Sequence, residues 1–410
     1  MPLPAAFSAL DQRDFRVFWS GQLVSLIGTW MQRVGQAWLV LELTDSAFKL
    51  GAISALQFAP VLLLAVAGGA VADRVPKRRL LLLTQTVLML QAFALTALVW
   101  TASVRYWHVA VLATVYGVTQ AFDMPTRQAF IVDLAGRRHL MNAIALNSAM
   151  FNAARLVGPA VAGLLIARYG LAQTFLLNAL SFLAVIAALL ALGAEGRPHP
   201  SEGTTMLEKI RGGLQYAATT PLIRFVLSLL LTVSFFVLNF NVVVPLLARH
   251  VLHGGAGDFG ALMACLGAGA IAGALMLALA VHGRPPLVLP VSAGLLASAG
   301  MIVLAFARNI TAAATVLAVV GFAQIVFQAT CNTVLQLTAP DALRGRIMSL
   351  YAVVFAGVTP FGALAIGYAA EHLGTPATCA LGGAGGFACV TLLTVLRRGA
   401  SKALPSPPVR

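Results

Sequence analysis

Apolar runs separated by short polar intervals fill this chain from end to end. Twelve of them lie near 17–43, 49–72, 80–101, 108–126, 142–166, 172–194, 222–249, 257–281, 286–307, 311–336, 347–370 and 376–396, bounded by charges and turn residues. A membrane-crossing helix needs about 20 mostly apolar residues, and each run supplies close to that. The longest polar interval, Glu195 to Pro221, divides the runs six and six. The pattern predicts an N-terminal six-helix bundle over 1–194, a cytoplasmic linker over 195–221, and a C-terminal six-helix bundle with a short cytoplasmic tail over 222–410. Two echoes support duplication. Asp14-Phe15-Arg16-Val17-Phe18 opens the first half much as Pro221-Leu222-Ile223-Arg224-Phe225 opens the second, and Val157-Gly158-Pro159 returns as Val358-Thr359-Pro360. The expected fold is an all-α polytopic membrane protein of twelve transmembrane helices in two pseudo-symmetric bundles.

Composition removes the soluble alternatives. Of 410 residues, 60% are hydrophobic and 10% charged, where a soluble domain carries about 25% charged residues. The 27 Lys and Arg against 13 Asp and Glu invite a nucleic-acid reading, but no soluble stretch is long enough to present a basic face. Their distribution explains them instead. Twenty fall in the intervals on the side of the N-terminus and five, Lys49, Arg105, Arg168, Arg249 and Arg308, on the other. The excess of positive charge in short cytoplasmic loops then places both termini in the cytoplasm. Met1 to Phe18 lacks the apolar core and small-residue cleavage site of a signal peptide. Cys265, Cys331, Cys379 and Cys389 stand singly, with no zinc or disulfide spacing.

Polar residues inside apolar helices are costly and face a cavity or a partner helix. The first run carries Ser25, Thr29, Gln32 and Gln36 on one helical face, and the tenth carries Gln324, Gln328, Asn332 and Gln336 four apart. The fourth offers Tyr116, Thr119, Gln120 and Asp123, and the seventh Ser228, Thr232, Asn239 and Asn241. Each amide has two readings, an interhelical hydrogen bond or a ligand contact. Arg33 and Arg155 lie within spans with no deep acid in the second half. Uncompensated, they would favour anionic or strongly hydrogen-bonding substrates; alternatively Arg155 clamps helix-end carbonyls or Asn152.

The interval after the second run reads Gly68-Gly69-Ala70-Val71-Ala72-Asp73-Arg74-Val75-Pro76-Lys77-Arg78-Arg79. Such a charged turn can anchor to anionic lipid. The order of its residues resembles the loop signature of the major facilitator superfamily. The resemblance implies a cytoplasmic latch between the halves in the outward-open state, carried by Gly69, Asp73, Arg74, Lys77, Arg78 and Arg79. Asp73 would face a helix end of the other half, and Lys77 would pair with Asp123 at the end of helix four. The equivalent interval of the second half, His282-Gly283-Arg284-Pro285-Pro286, lacks the acid. Helix five carries Arg155 and Gly158-Pro159-Ala160-Val161-Ala162-Gly163. Pro breaks a backbone hydrogen bond and small residues admit a neighbour. The segment also resembles, in part, the antiporter motif of drug and metabolite exporters, with Ala162-Gly163 in place of two glycines.

Longer strings narrow the branch. Phe15-Arg16-Val17-Phe18-Trp19-Ser20-Gly21-Gln22, Gly28-Thr29-Trp30-Met31-Gln32, Pro125-Thr126-Arg127-Gln128-Ala129-Phe130 and Asn142-Ala143-Ile144-Ala145-Leu146-Asn147-Ser148 are similar to the transmembrane secretion effectors, the branch that contains the bacterial enterobactin exporter. The resemblance spans nearly the whole chain and implies a proton-driven exporter of the bacterial inner membrane. In that fold helices one, four, seven and ten line a central cavity. The substrate-cavity candidates are therefore Thr29, Gln32, Arg33, Gln36, Tyr116, Gln120, Asn239, Gln324, Gln328 and Asn332. Proton coupling needs a group whose ionisation depends on access, and the candidates are Glu42 and Asp123, with Asp73 also in reach.

No phosphate loop, metal-ligand cluster or dinucleotide fingerprint in a strand context is present. Gly267-Ala268-Gly269 lies inside an apolar run and reads as helix packing. The expectation is thus a transporter, not an enzyme, with no cofactor, no metal and no nucleic-acid partner. It would take a small-molecule substrate and a proton and work as a monomer in the bilayer. Import by the same fold is the main alternative, and a membrane receptor a lesser one.

Overall fold

The computed structural model describes residues 5–196, 206–280, 283 and 285–402, and every regular element among them is helical. After a 3₁₀ turn over Ala5–Asp11 come α1 (Arg13–Thr44), α2 (Ala47–Arg74), α3 (Lys77–Trp100), α4 (Tyr106–Tyr169) and α5 (Leu171–Ala191). Then follow α6 (Met206–Thr219), α7 (Pro221–Phe236), α8 (Phe240–Leu246), α9 (Ala256–Ala280), α10 (Val288–Leu304), α11 (Ile310–Thr338), α12 (Asp341–Leu373) and α13 (Thr375–Lys402). Nine spans among the described residues are long and apolar enough to cross a membrane, and α10 is a shorter apolar helix. The polar stripes put α1 and the first part of α4 outside that set.

Local chemistry sets the boundaries. Ser46 caps α2 by accepting from the Lys49 amide, and Asn309 caps α11 by accepting from the Ala312 amide. Gly170 (φ 90°) and Gly374 (φ 81°) close α4 and α12 in corresponding turns of the two halves, in a backbone region that glycine adopts without strain. α4 joins the expected fourth and fifth runs, and its chain bends at Gly136 (φ 67°, ψ 166°) into limbs 106–135 and 137–169.

Two departures from the sequence pattern stand out. The polar interval 195–221 is not all linker: α6 forms within it and packs against α12 and α7. The seventh run is broken. α7 stops at Phe236, α8 starts at Phe240, and a π-helical turn spans Leu247–Val251. Pro245, inside α8, has no amide to donate to the carbonyl one turn back. The Arg284 position lies outside the described residues, as do Arg197 and Arg410.

Packing runs α1 with α4 and α5, α3 with α4 and α5, α9 with α11, and α10 with α11 and α13. The main contacts between 1–194 and 206–402 are α2 with α12 and the second limb of α4 with α9. These cross-contacts are close because small residues meet. A Cβ on Gly51 would strike the Ala363 carbonyl, and one on Gly163 would strike the Gly260 backbone.

Candidate functional site: the seam between the halves

α2 has Ser46 at one end and Asp73 at the other, about 40 Å apart at 1.5 Å per residue. The two ends of the seam differ. At the Ser46 end, Glu371 of α12 reaches the N-terminus of α2. Its carboxylate accepts from Ser46 Oγ (3.1 Å to each oxygen) and from the Phe48 amide (3.1 Å). A carboxylate in the last turn of its own helix opposes that helix's dipole, and the α2 N-terminus supplies the compensating donors. Beside it, Arg249 Nε donates to Asp45 Oδ1 at 2.7 Å, with His250 Nε2 at 3.3 Å. These contacts, with Arg249 foremost, hold the Asp45 carboxyl below its usual range. A single apolar core, with Trp38, Leu41, Leu50, Phe259 and Ile366, runs through both halves here. Towards the hairpin end a second core, with Phe15, Phe18, Phe130 and Phe182, is confined to the first half.

The hairpin at 68–79 is tied to its own half. Lys77, 4% exposed, donates to Asp133 Oδ2 at 2.8 Å. Arg78 donates to the Leu189 and Leu190 carbonyls at 2.6 and 2.8 Å, capping the C-terminus of α5. The Lys77 and Arg78 amides donate to the carbonyls of Gly196 and Glu195. Lys77 therefore does not meet Asp123. Asp123, fully buried, meets α3 two turns further on, accepting from Thr84 Oγ1 (2.8 Å) and Gln85 Nε2 (2.6 Å) and pairing with Arg127. Asp73 is half-buried, and Arg74 and Arg79 are exposed. Gly69 has open space around it, whereas a Cβ on Gly68 would meet the Ala121 carbonyl.

Mid-span, the polar residues divide into two groups. Gln32 is occupied within the first half, donating to Gln91 Oε1 (3.0 Å) and accepting from Asn178 Nδ2 (2.6 Å). Thr29 donates to the Ser25 carbonyl, and Asn239 donates to the Ser234 and Phe235 carbonyls, satisfying acceptors freed by the break between α7 and α8. Asn332 bonds Gln336 and Tyr351. The second group lies on the seam. Arg33 donates to Tyr116 Oη (3.2 Å), which also accepts from Gln120 Nε2 (2.6 Å), and its guanidinium lies 4.7 Å from the Trp30 ring centre. Arg155 Nη2 donates to Gln324 Oε1 at 2.6 Å, from α4 to α11. A pocket of about 20 Å³, room for about one water, is lined by Arg33, Gln36, Ser54, Gln57 and Asn241.

Gly158 lets α1 approach: a Cβ there would strike Trp30 Cβ and the Ile27 carbonyl. Pro159 lies inside α4, and its carbonyl faces Gly260. Glu42 is exposed and accepts from Trp38 Nε1 at 2.7 Å. Sequence reasoning missed Asp45, Asp133, Arg249 and Glu371. The signal for Glu371 was present, an acid in a helix's last turn where only an external donor set stabilises it. Among the described residues no cluster of His, Cys, Asp and Glu could hold a metal.

Apolar helices of membrane-crossing length, joined across a seam that carries buried polar groups, define a polytopic transporter. Solved transporters share the fold. A variant of the peptide transporter POT aligns over 96% of both chains with a TM-score of 0.77 at 13% identity. A bacterial homologue of the human lysosomal transporter Spinster, inward-facing and unoccupied, aligns over 96% of this chain and 98% of its own with a TM-score of 0.71 at 14% identity. Residues 4–407 match the family described as transmembrane secretion effector, and the chain belongs to that family of the major facilitator superfamily. Similar relatives are the Staphyloferrin A transporter of Staphylococcus aureus, 25% identical over 92% of this chain and 94% of its own, and the multidrug efflux pump Tap of Mycolicibacterium fortuitum, 27% identical over 83% and 85%.

Proposed function

We propose that the chain is a secondary exporter of the bacterial inner membrane, moving a small siderophore-like or drug-like organic molecule against protons by alternating access. Twelve helices form two six-helix bundles, 1–194 and 222–410, joined by 195–221. The protein works as a monomer, and both termini face the cytoplasm, as the distribution of basic loops favours.

The asymmetry of the seam is the observation that carries this reading. The halves are bonded and share a core at the Ser46 end, and the first half keeps a core of its own towards the hairpin end. Under the proposed orientation this is the inward-open half of a transport cycle. The 68–79 hairpin would latch in the opposite state, where Asp73 faces a helix end of the second half. The relatives named for siderophore transport and multidrug efflux, and the Gly158-Pro159 segment, favour export. Of the two carboxylates proposed for coupling, Asp123 is the better placed. It is buried beside Arg127, which can release it, whereas Glu42 sits exposed.

The test is proton movement in everted vesicles with an acidic lumen. A panel of a catecholate siderophore, lipophilic cations, a macrolide and sugar phosphates is added. At least one should collapse the gradient in vesicles holding the protein and leave control vesicles unchanged. Accumulation of a panel compound by intact cells, with no response in everted vesicles, would instead establish import.

A further inference from the structure

The mid-span groups on the seam hold more hydrogen-bond donors than acceptors. Arg33 and Arg155 bring two guanidinium groups, and neither has a carboxylate partner: their bonds go to Tyr116 Oη and Gln324 Oε1. α1 and α4 touch where Gly158 meets Trp30, three residues from Arg155 and from Arg33, so the two cations share one neighbourhood. Each is accompanied by an amide whose NH₂ is buried without any acceptor. Gln36, 2% exposed, lines the same pocket as Arg33 and leaves its buried Nε2 unpaired, and Gln328, one helical turn from Gln324, also leaves Nε2 unpaired. Buried unpaired donors and uncompensated cations are both costly. One kind of ligand removes both costs together: oxyanions, which accept several bonds and carry negative charge.

From this arrangement we infer that the seam is a two-point oxyanion site, and that the transported molecule presents at least two carboxylate or equivalent anionic groups. One group is held by Arg33, whose guanidinium rests on the face of Trp30, and by Gln36. The other displaces Gln324 from Arg155 and takes the free amide of Gln328. Arg33 and Gln36 stand on α1, whereas Gln328 stands on α11, so a bound dianion bridges the halves. Both arginines belong to the first half, so occupancy replaces the direct Arg155–Gln324 bond across the seam with one made through the ligand, and occupied and empty protein differ in how readily the halves come together. This inference rests on the transporter reading and names the substrate class for it.

The test is direct binding to the purified full chain in nanodiscs, with citrate, succinate, acetate and tetraphenylphosphonium as probes and calorimetry as readout. Citrate and succinate should bind at least about tenfold more tightly than acetate, because the second anion engages a second guanidinium. Arg33→Gln and Arg155→Gln should each lower citrate affinity about tenfold or more and bring it towards that of acetate. Gln36→Leu and Gln328→Leu, which remove only a neutral donor, should cost less and serve as folding-safe variants. Equal binding of citrate and acetate, or citrate binding that survives both arginine substitutions in monodisperse protein, overturns the inference. The everted-vesicle assay separates the two readings. Gradient-driven flux of a lipophilic cation without citrate binding leaves export standing and removes the anion site; citrate binding without flux does the reverse.

Discussion

At the scale of single residues, the pairing of Lys77 decides how the 68–79 hairpin is held. Its ammonium is nearly buried and meets Asp133, whose side chain is 26% exposed, while Asp123 keeps three partners of its own. Removing one member of a largely buried pair strands the other. Lys77→Met should therefore destabilise the purified protein by about 1–2 kcal/mol, reduced from a fully buried case by the access of water to Asp133. A double-mutant cycle in thermal unfolding should give a coupling between Lys77→Met and Asp133→Asn, and near-additivity between Lys77→Met and Asp123→Asn. Coupling to Asp123 instead would restore the relay that the superfamily resemblance implies. Gly158 offers a second residue-level prediction. A side chain there meets Trp30 Cβ and the Ile27 carbonyl, so Gly158→Val should lower stability by about 1–3 kcal/mol through overpacking of α1 on α4, seen as a lower Tm. Gly69→Val, with open space around it, should leave Tm unchanged.

At the scale of elements, the end of α12 and the start of α2 form one unit. Glu371 gains from α2 the donors that its own helix end denies it, and Asp45 gains Arg249 and His250. Around this contact lie Lys49, over the Tyr106 ring, and His372, one residue beyond Glu371. The Asp45 carboxyl is held below its ordinary value of 3.8 in the closed contact. The closed contact is therefore favoured above that value, and the advantage is lost as pH falls through the lowered one. Asp45 and Arg249 are partly exposed, so salt screens the pair and its share is small. Glu371→Gln keeps the shape but removes the charge, and it should shift the protein towards opening at the Ser46 end. Labelling of a cysteine placed at Ser54 by a membrane-impermeant reagent, applied from the outside, should accelerate severalfold in that variant. An unchanged rate would mean that the shared apolar core alone holds this end shut.

At the scale of the whole molecule, legibility in the sequence followed the physics of each feature. Hydrophobic run length is a property of local composition, so α1, α2, α3, α5, α9, α10 and α11 were readable to within a few residues, whereas α4 continues through the polar interval between two expected runs and α12 and α13 extend past the ends of theirs. The break between α7 and α8 was not, because Asn239 reads as one more polar residue until its amide is seen to satisfy the Ser234 and Phe235 carbonyls. The stripe on α1 was visible, but periodicity cannot say which neighbour each amide meets. Gln32 turns into its own half towards Gln91 and Asn178, whereas Gln36, four residues on, reaches the seam. The contacts at the Ser46 end join residues more than 200 positions apart, and a single sequence holds no record of such pairs. Ser46 Oγ and the Glu371 carboxylate lie 3.1 Å apart, so cysteines at these two positions should be joined by a short bifunctional methanethiosulfonate in a chain whose four native thiols are replaced. Cross-linking should stop turnover while leaving the hairpin end open to impermeant labels in everted vesicles, and reduction should restore flux. Full activity of the cross-linked protein would show that the halves need not part at the Ser46 end, and alternating access about this seam would fall with it.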